Sequence, residues 1–310
     1  MKALRIRQYG GSEVLEIVAD APQPVPGKGQ VLVRVQAASI NPIDWKVRQG
    51  YLKDQVPLTM PATLGGDFVG VMANAGDSDF TVGERIYGYA SLLAGGSGSF
   101  AEYAAAGAGN AARAPEKATP HEAGALPLVG ASAIQALEGH LKLQRGQTIL
   151  IHGGGGGIGS LAIQLAKAIG AYVVTTATGD DLAYARSLGA DEVIDYKSQS
   201  FETTGKKYDA VFDTVGGQTT AKSFQVLKRR GTLVSMLGAD EQLATQHGVT
   251  AIAQFTRVTT DVLNRLRDLV DGGRLKIRIA GTFPLDQAKQ AFDLAEHGHA
   301  KGKVVLDLNA

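Results

Sequence analysis

The chain has 310 residues, of which 44% are hydrophobic and 20% charged, with a formal net charge of +1. That length is enough for two domains with ample cores, the composition excludes a disordered chain, and the near balance of charge argues against a dedicated nucleic-acid surface. Without cysteine there is no disulfide, no thiolate metal ligand and no cysteine nucleophile. The opening MKALRIRQYGG alternates like a strand and lacks an apolar signal core, and no apolar run approaches the roughly 20 residues of a membrane helix. A soluble cytoplasmic protein, with no membrane and no nucleic-acid partner, is the expectation.

Residues 1 to about 120 read as strands. Ala3, Leu4 and Ile6, then Val14, Leu15, Ile17 and Val18, flank a Gly10-Gly11 turn, and VLVRVQAASI alternates with Val31, Val33 and Val35 on one face. Further strands are predicted over 66–73, 85–90 and 99–105, a spacing that suggests a partly open barrel. From Pro120 the pattern changes. Helical spacing over 121–128 and 130–143 leads into TILIHGGGGGIG (148–159), then into alternating strands and helices: AYVVTTAT, DEVIDY, YDAVFDTVGG and GTLVSMLG are the strands. Such alternation is the sequence form of a doubly wound parallel sheet. The tail predicts a helix over 262–270, a strand over 277–283, a helix over 285–296 and a last strand over 303–308. It is expected to return to the N-terminal barrel.

The stretch 148–159 has the clearest physical demand. Strand-like Ile149 to His152 runs into Gly153, Gly154, Gly155, Gly156, Gly157, Ile158 and Gly159, followed by apolar residues at helical spacing up to Gly170. Glycines 154, 156 and 159 satisfy G-x-G-x-x-G. A strand, a turn without Cβ atoms and a helix N-terminus together hold a dinucleotide pyrophosphate. Right-handed crossovers bring the strand C-termini to one edge, so the ligand is expected there, beside Thr176 to Thr178, Thr214 to Gly217 with Val215 and Gly216, and Ser235 to Gly238 with Leu237.

The whole chain resembles the zinc-independent quinone oxidoreductase branch of the medium-chain dehydrogenase/reductase superfamily. The resemblance is carried by INPIDWKVRQG (40–50), LGGDFVG (64–70), HGGGGGIGSLAIQLAKAIGA (152–171), LGADEVIDY (188–196), DAVFDTVGG (209–217) and GHAKGKVVL (298–306). It implies an α/β protein with a GroES-like partly open β-barrel catalytic domain (1–120 and 271–310) around a doubly wound Rossmann dinucleotide-binding domain (121–270). It also implies NADPH in the cleft and a homodimer. Zinc alcohol dehydrogenases carry a ligand cysteine where this chain has Asn41-Pro42-Ile43-Asp44, and Gly-His-Glu where it has Gly65-Gly66-Asp67. The pair His297 and His299 is more in keeping with a solvated loop than a metal. No metal site is expected.

Without a Lewis acid, a conjugated acceptor is easier to reduce than a simple carbonyl, because the charge that develops spreads through the π-system. The protein then needs to align donor and acceptor and to place a hydrogen-bond donor by the oxyanion. NPIDWK is similar to plant members that reduce alkenones, and the resemblance implicates Lys46 near the ribose and the substrate oxygen; the alternative is an exposed strand-end lysine. Asn41 is expected at the nicotinamide, or else as a turn residue before proline. Trp45 and Tyr51 line an acceptor pocket or belong to core. Asp44 and Asp67 are given no proton-transfer role. Ser132 stands where relatives often have threonine beside the nicotinamide, with a helix N-cap as the alternative. Lys303, in GHAKGKVVL, joins the residues expected to bind cofactor.

NAD binders place an acid at the end of the second strand; here Thr175, Thr176, Ala177 and Thr178 stand there, a hydroxyl-lined pocket that tolerates a 2′-phosphate. Tyr196 matches a family position on that phosphate. Asp180 and Asp181, however, stand where many relatives supply a basic group, and carboxylates repel a phosphate unless they point away. The expected function is NADPH-dependent reduction of a quinone or α,β-unsaturated carbonyl. The alternatives are a zinc-free alcohol or enoyl-thioester reductase and, outside enzymes, an NADPH-binding structural or RNA-associated protein.

Overall fold

The structure is a computed structural model and describes residues 1–297 and 300–309. Two compact units divide the chain. The first holds Met1–Leu128, Val258–Gly272 and the described residues from Ile277 on; the second holds Val129–Arg257 and Gly273–Lys276. Among the described residues no helix is long and apolar enough to cross a membrane.

The first unit is built on the strand Gln30–Ile40, whose valines alternate into the core as its sequence requires. It is central in a seven-stranded sheet ordered Ile279–Pro284, Lys303–Asp307, Gln30–Ile40, Asp67–Asn74, Arg85–Tyr89, Ala111–Arg113, and Tyr103–Gly107 also pairs with it. A Cβ at Gly70 would press into the Arg34 carbonyl, so glycine lets the two central strands approach where Gly70 pairs with Val35. A smaller antiparallel sheet joins Glu16–Val18, Ala3–Ile6 and Ala62–Thr63. Phe100 meets Phe292 edge-on at 5.8 Å, among fully buried Leu4, Val33, Phe68 and Ile86. Each such side chain contributes about 1.5–3 kcal/mol by leaving water.

The tail does return to this unit. Lys303–Asp307 runs antiparallel to Gln30–Ile40, pairing Val304 with Ile40 and Leu306 with Ala38. The return begins earlier than the boundary at 271, however. Helix Thr260–Asp271 belongs with the first unit because Leu263 and Leu266 are fully buried, Tyr87 Oη donates to Leu263 O at 2.5 Å, and Thr260 Oγ1 donates to Ala111 O at 2.8 Å.

The second unit is a six-stranded parallel sheet ordered Glu192–Asp195, Tyr172–Ala177, Thr148–His152, Tyr208–Asp213, Leu227–Ser235, Thr250–Ala253. Numbered within the sheet this is 3-2-1-4-5-6, the doubly wound order, with its switch point between Thr148–His152 and Tyr208–Asp213. Thr250–Ala253 is an edge strand of four residues, too short to show a period. Before it, helix Glu241–His247 is capped by Asp240, whose Oδ1 accepts from Leu243 N at 2.9 Å, and closed by Gly248 at φ +65°.

Candidate functional site

The glycine turn of the second unit lies at the switch point. Gly153, at φ +76°, leaves the strand, and Gly154 N donates to Thr176 O at 3.0 Å. Helix Gly157–Ile169 follows with Gly156 as N-cap. An added Cβ at Gly159 would overlap the Gly153 carbonyl, so only glycine lets the helix start this close to the strand. Gly156 brings no side chain to the first-turn N–H groups, which leaves them to an anion. This cradle fits a pyrophosphate.

The loop after the fourth strand meets the turn, and the loop after the fifth meets that loop. A Cβ at Gly153 would lie 2.7 Å from Thr214 Oγ1 and 3.4 Å from Val215 Cγ2, and one at Gly216 would lie 2.8 Å from Leu237 Cβ. Val215 and Leu237 are exposed there, and Gly238 has φ +108°. Asp213, fully buried beneath them, orders the loop: its Oδ1 accepts from Val215 N at 2.8 Å and Gly216 N at 3.1 Å, and its Oδ2 from the Thr220 hydroxyl. His152 is buried too, with Nδ1 3.2 Å from Thr176 Oγ1, Nε2 3.0 Å from Ser223 Oγ and Phe201 against its ring. Burial pushes its pKa down to about 4, so at neutral pH it is uncharged.

The threonines of the second strand are less open than their sequence suggests. Thr175 Oγ1 donates to Ile151 O at 2.6 Å, and Thr176 Oγ1 is committed to His152 and to Gly153 N, 3.3 Å away. Thr178 is half-buried and bonds Asp195, whose carboxylate is held below its usual range by the Lys197 N–H and that hydroxyl. Tyr196 is exposed at the neighbouring strand end. Asp181 lies against the glycine turn: a Cβ on Gly155 would sit 2.6 Å from Asp181 Cβ. Ser132 is not an N-cap: it lies inside helix Pro127–Ile134, fully buried, with Oγ 2.8 Å from Thr256 Oγ1 and its carbonyl accepting from Gln254 Nε2 at 3.0 Å.

In the first unit Asn41 and Lys303 belong to a buried polar cluster. NPIDWK is not a strand end: Asn41 caps helix Pro42–Arg48, with proline at its start and the Asn41 N–H donating to Asp44 Oδ2 at 2.7 Å. Asn41, 1% exposed, uses both ends of its amide internally. Nδ2 donates to Asp67 Oδ2 at 2.7 Å, while Oδ1 accepts from Lys303 Nζ, which also donates to Ile40 O at 2.8 Å. Asp67 further accepts from Ser39 Oγ at 2.8 Å and, on Oδ1, from Leu128 N at 2.9 Å. Lys303 is therefore buried, with two of its three donors committed inside the unit. Burial raises the pKa of Asp67 and lowers that of Lys303, and each charge opposes the shift of the other. Burial, then the charge of Asp67, pushes Asp44 up to about 7 against the Asn41 N–H. Sequence reasoning missed this cluster, although charged residues opening the apolar runs DFVG and KVVL were a signal.

Lys46 lies on the last turn of helix Pro42–Arg48, half-buried. Trp45 packs against the core of the unit, and Tyr51, 68% exposed, begins the next turn with its N–H donating to Lys46 O at 3.0 Å. The helix is anchored by Arg48, 1% exposed, which pairs with Glu296 at 2.8 Å and lies 5.4 Å from the centre of the Phe292 ring. Among the described residues no cluster of three or more histidine or acidic side chains is arranged to hold a metal. His299 lies outside the described residues, and His297 Nδ1 stands 3.3 Å from Asp293 Oδ1.

Known proteins share this fold. The alcohol dehydrogenase GroES-like domain matches residues 27–116, and the zinc-binding dehydrogenase domain matches residues 188–306. The NADPH-dependent alkenal/one oxidoreductase of Arabidopsis thaliana chloroplasts is 35% identical, covering 99% of this chain and 79% of that protein. The quinone oxidoreductase of Coxiella burnetii superposes with a TM-score of 0.92 at 35% identity, covering 99% of both chains. The mycobacterial protein Rv1454c, solved in complex with NADPH, superposes with a TM-score of 0.86 at 30% identity, again over 99% of both. With such identity over nearly its full length, the chain belongs to the quinone oxidoreductase branch of the medium-chain dehydrogenase/reductase superfamily.

Proposed function

We infer that this oxidoreductase delivers hydride from NADPH to a quinone or an α,β-unsaturated carbonyl. The observation that carries the reading is the state of Asp44 and Asp67, which lie in the two motifs that replace the ligand cysteine and the Gly-His-Glu of zinc alcohol dehydrogenases. Asp67 accepts from Ser39, Asn41 and Leu128 beside the buried Lys303 ammonium, and Asp44 accepts from the Asn41 N–H. These side chains are committed to donors of the protein itself, and the set does not fit a zinc ion. Carbonyl polarisation therefore falls to N–H donors, and conjugated acceptors suit that weaker assistance.

The cofactor reading draws support from the glycine turn and from NADPH in the name or the complex of two relatives. When bound, NADPH supplies the hydride. Gly153 to Gly159 and the N-terminus of helix Gly157–Ile169 hold the pyrophosphate, with Val215, Gly216 and Leu237 closing the strand edge around the rest of the dinucleotide. Lys46 donates a hydrogen bond to the oxygen that gains charge, and Tyr51 offers its ring to the acceptor. The protein works as a homodimer, which light scattering checks.

An NADPH-consumption screen across quinones, enals, enones and saturated ketones tests the reading. Turnover confined to conjugated acceptors supports it. Comparable turnover of saturated ketones would favour an alcohol dehydrogenase activity, and RNA binding abolished by NADPH without turnover of any acceptor would favour a non-enzymatic role.

A further inference from the structure

We propose that Asp181 sets the discrimination between NADPH and NADH, its carboxylate weakening the hold of this chain on the 2′-phosphate. The inference rests on the reading of the chain as an NADPH-binding reductase and names the side chain that limits that binding.

Gly155 is the third residue of the glycine turn, and the side chain of Asp181 lies over it. A Cβ built on Gly155 would sit 2.6 Å from Asp181 Cβ, and the carboxyl carbon and Oδ2 come closer still. The position is fixed by the backbone. Asp181 opens helix Asp181–Ser187, four residues beyond the end of strand Tyr172–Ala177, and its N–H donates to Thr178 O at 3.2 Å. Asp180, its neighbour, is exposed and makes no such approach to a glycine of the turn.

The hydroxyls expected to receive a 2′-phosphate have other partners. Thr175 donates to the Ile151 carbonyl, Thr176 is bonded to His152 and the Gly153 N–H, and Thr178 to Asp195. A carboxylate thus lies on the turn that holds the dinucleotide, beside hydroxyls already in use. Both cofactors bring a pyrophosphate to this turn, but NADPH alone brings the additional 2′-phosphate, so repulsion by Asp181 falls more heavily on NADPH. The free ribose hydroxyl of NADH, in contrast, is a donor that a carboxylate accepts.

The test is fluorescence titration of the full-length chain with NADPH and with NADH, for wild type, Asp181→Asn, Asp181→Lys and Asp180→Asn. Asparagine keeps the shape of the side chain and removes only its charge. Asp181→Asn is expected to tighten NADPH about tenfold while NADH stays within about twofold. Asp181→Lys extends the gain, Asp180→Asn changes neither, and added salt narrows the gap between wild type and Asp181→Asn. An unchanged ratio of the two affinities in Asp181→Asn overturns the inference while leaving the NADPH reading in place, as does an equal shift in Asp180→Asn. Absence of NADPH binding in wild type and every variant, each folded by circular dichroism, removes the cofactor reading itself and the inference with it.

Discussion

Lys303 and Asn41, 262 residues apart in sequence, meet inside the first unit, the ammonium donating to the amide oxygen while the amide nitrogen donates to Asp67. Strand Lys303–Asp307 is thereby tied to the ends of Gln30–Ile40 and Asp67–Asn74 through one buried amide. Removing one member of a buried charge pair leaves the other uncompensated, which costs about 3–5 kcal/mol. Lys303→Met is expected to lose that much in urea unfolding at pH 8, and less in acid, where Asp67 takes a proton. The double variant Lys303→Met, Asp67→Asn should recover most of the loss; equal losses in the single and double variants would show that the charges are not coupled.

Asp44 gives a pH dependence of opposite sense to ordinary surface carboxylates. Its folded pKa of about 7 lies above the unfolded value of 3.8. Between these values the folded chain holds a proton that the unfolded chain has released, so stability falls as pH rises through that window. Asp44→Asn keeps an acceptor for the Asn41 N–H and removes the charge. It should unfold at higher urea than wild type at pH 8 and match it near pH 4. Asp44→Ala, which removes the acceptor as well as the charge, should be about 1 kcal/mol less stable than Asp44→Asn at both.

His152 acts the other way. Its folded pKa of about 4 lies below the unfolded 6.5, so the stability of the neutral ring is complete above pH 6.5 and is lost as pH falls toward 4. Protonation of the unfolded chain in that window amounts to roughly 3 kcal/mol. The difference in unfolding free energy between wild type and His152→Asn, followed from pH 7 to pH 4, should shrink by about that amount. A difference independent of pH would mean that the ring is not kept neutral by burial.

Lys46 is the proposed donor to the oxygen that gains charge. Lys46→Ala should lower turnover on the order of a hundredfold, the range for losing one oxyanion donor, with NADPH affinity within about threefold of wild type. Steady-state kinetics beside cofactor titration separates the two. Unchanged turnover would remove the ammonium from the reaction.

The dinucleotide unit was legible because its signals are local. A glycine turn between a strand and a helix, and the alternation after it, dictate both the cradle and the sheet order. NPIDWK carries a helix signature at its start, Asn41 with Pro42 behind it and Asp44 three residues on, yet its alternatives from sequence were a turn at Asn41 and a strand end at Lys46. A seven-residue helix is too short for its apolar period to register. The amide of Asn41 could not be placed at all from its own neighbourhood, since its partners Asp67 and Lys303 lie 26 and 262 residues away. Thr175 and Thr176 looked like an open hydroxyl pocket because composition does not reveal which side of a parallel strand the turn covers. Asp181 was flagged by its charge, but its approach to Gly155 required the fold.

The central claim is hydride transfer from NADPH to a conjugated acceptor, and the most direct measurement follows the hydride itself. NADPH carrying deuterium at C4 on both faces is incubated with the enzyme and an α,β-unsaturated ketone, and the product is read by NMR. The account predicts one deuterium at the β-carbon and a proton from water at the α-carbon, with the carbonyl intact. Deuterium at the carbonyl carbon, giving an allylic alcohol, or no label transfer to any enone together with no NADPH consumption by any quinone would contradict it.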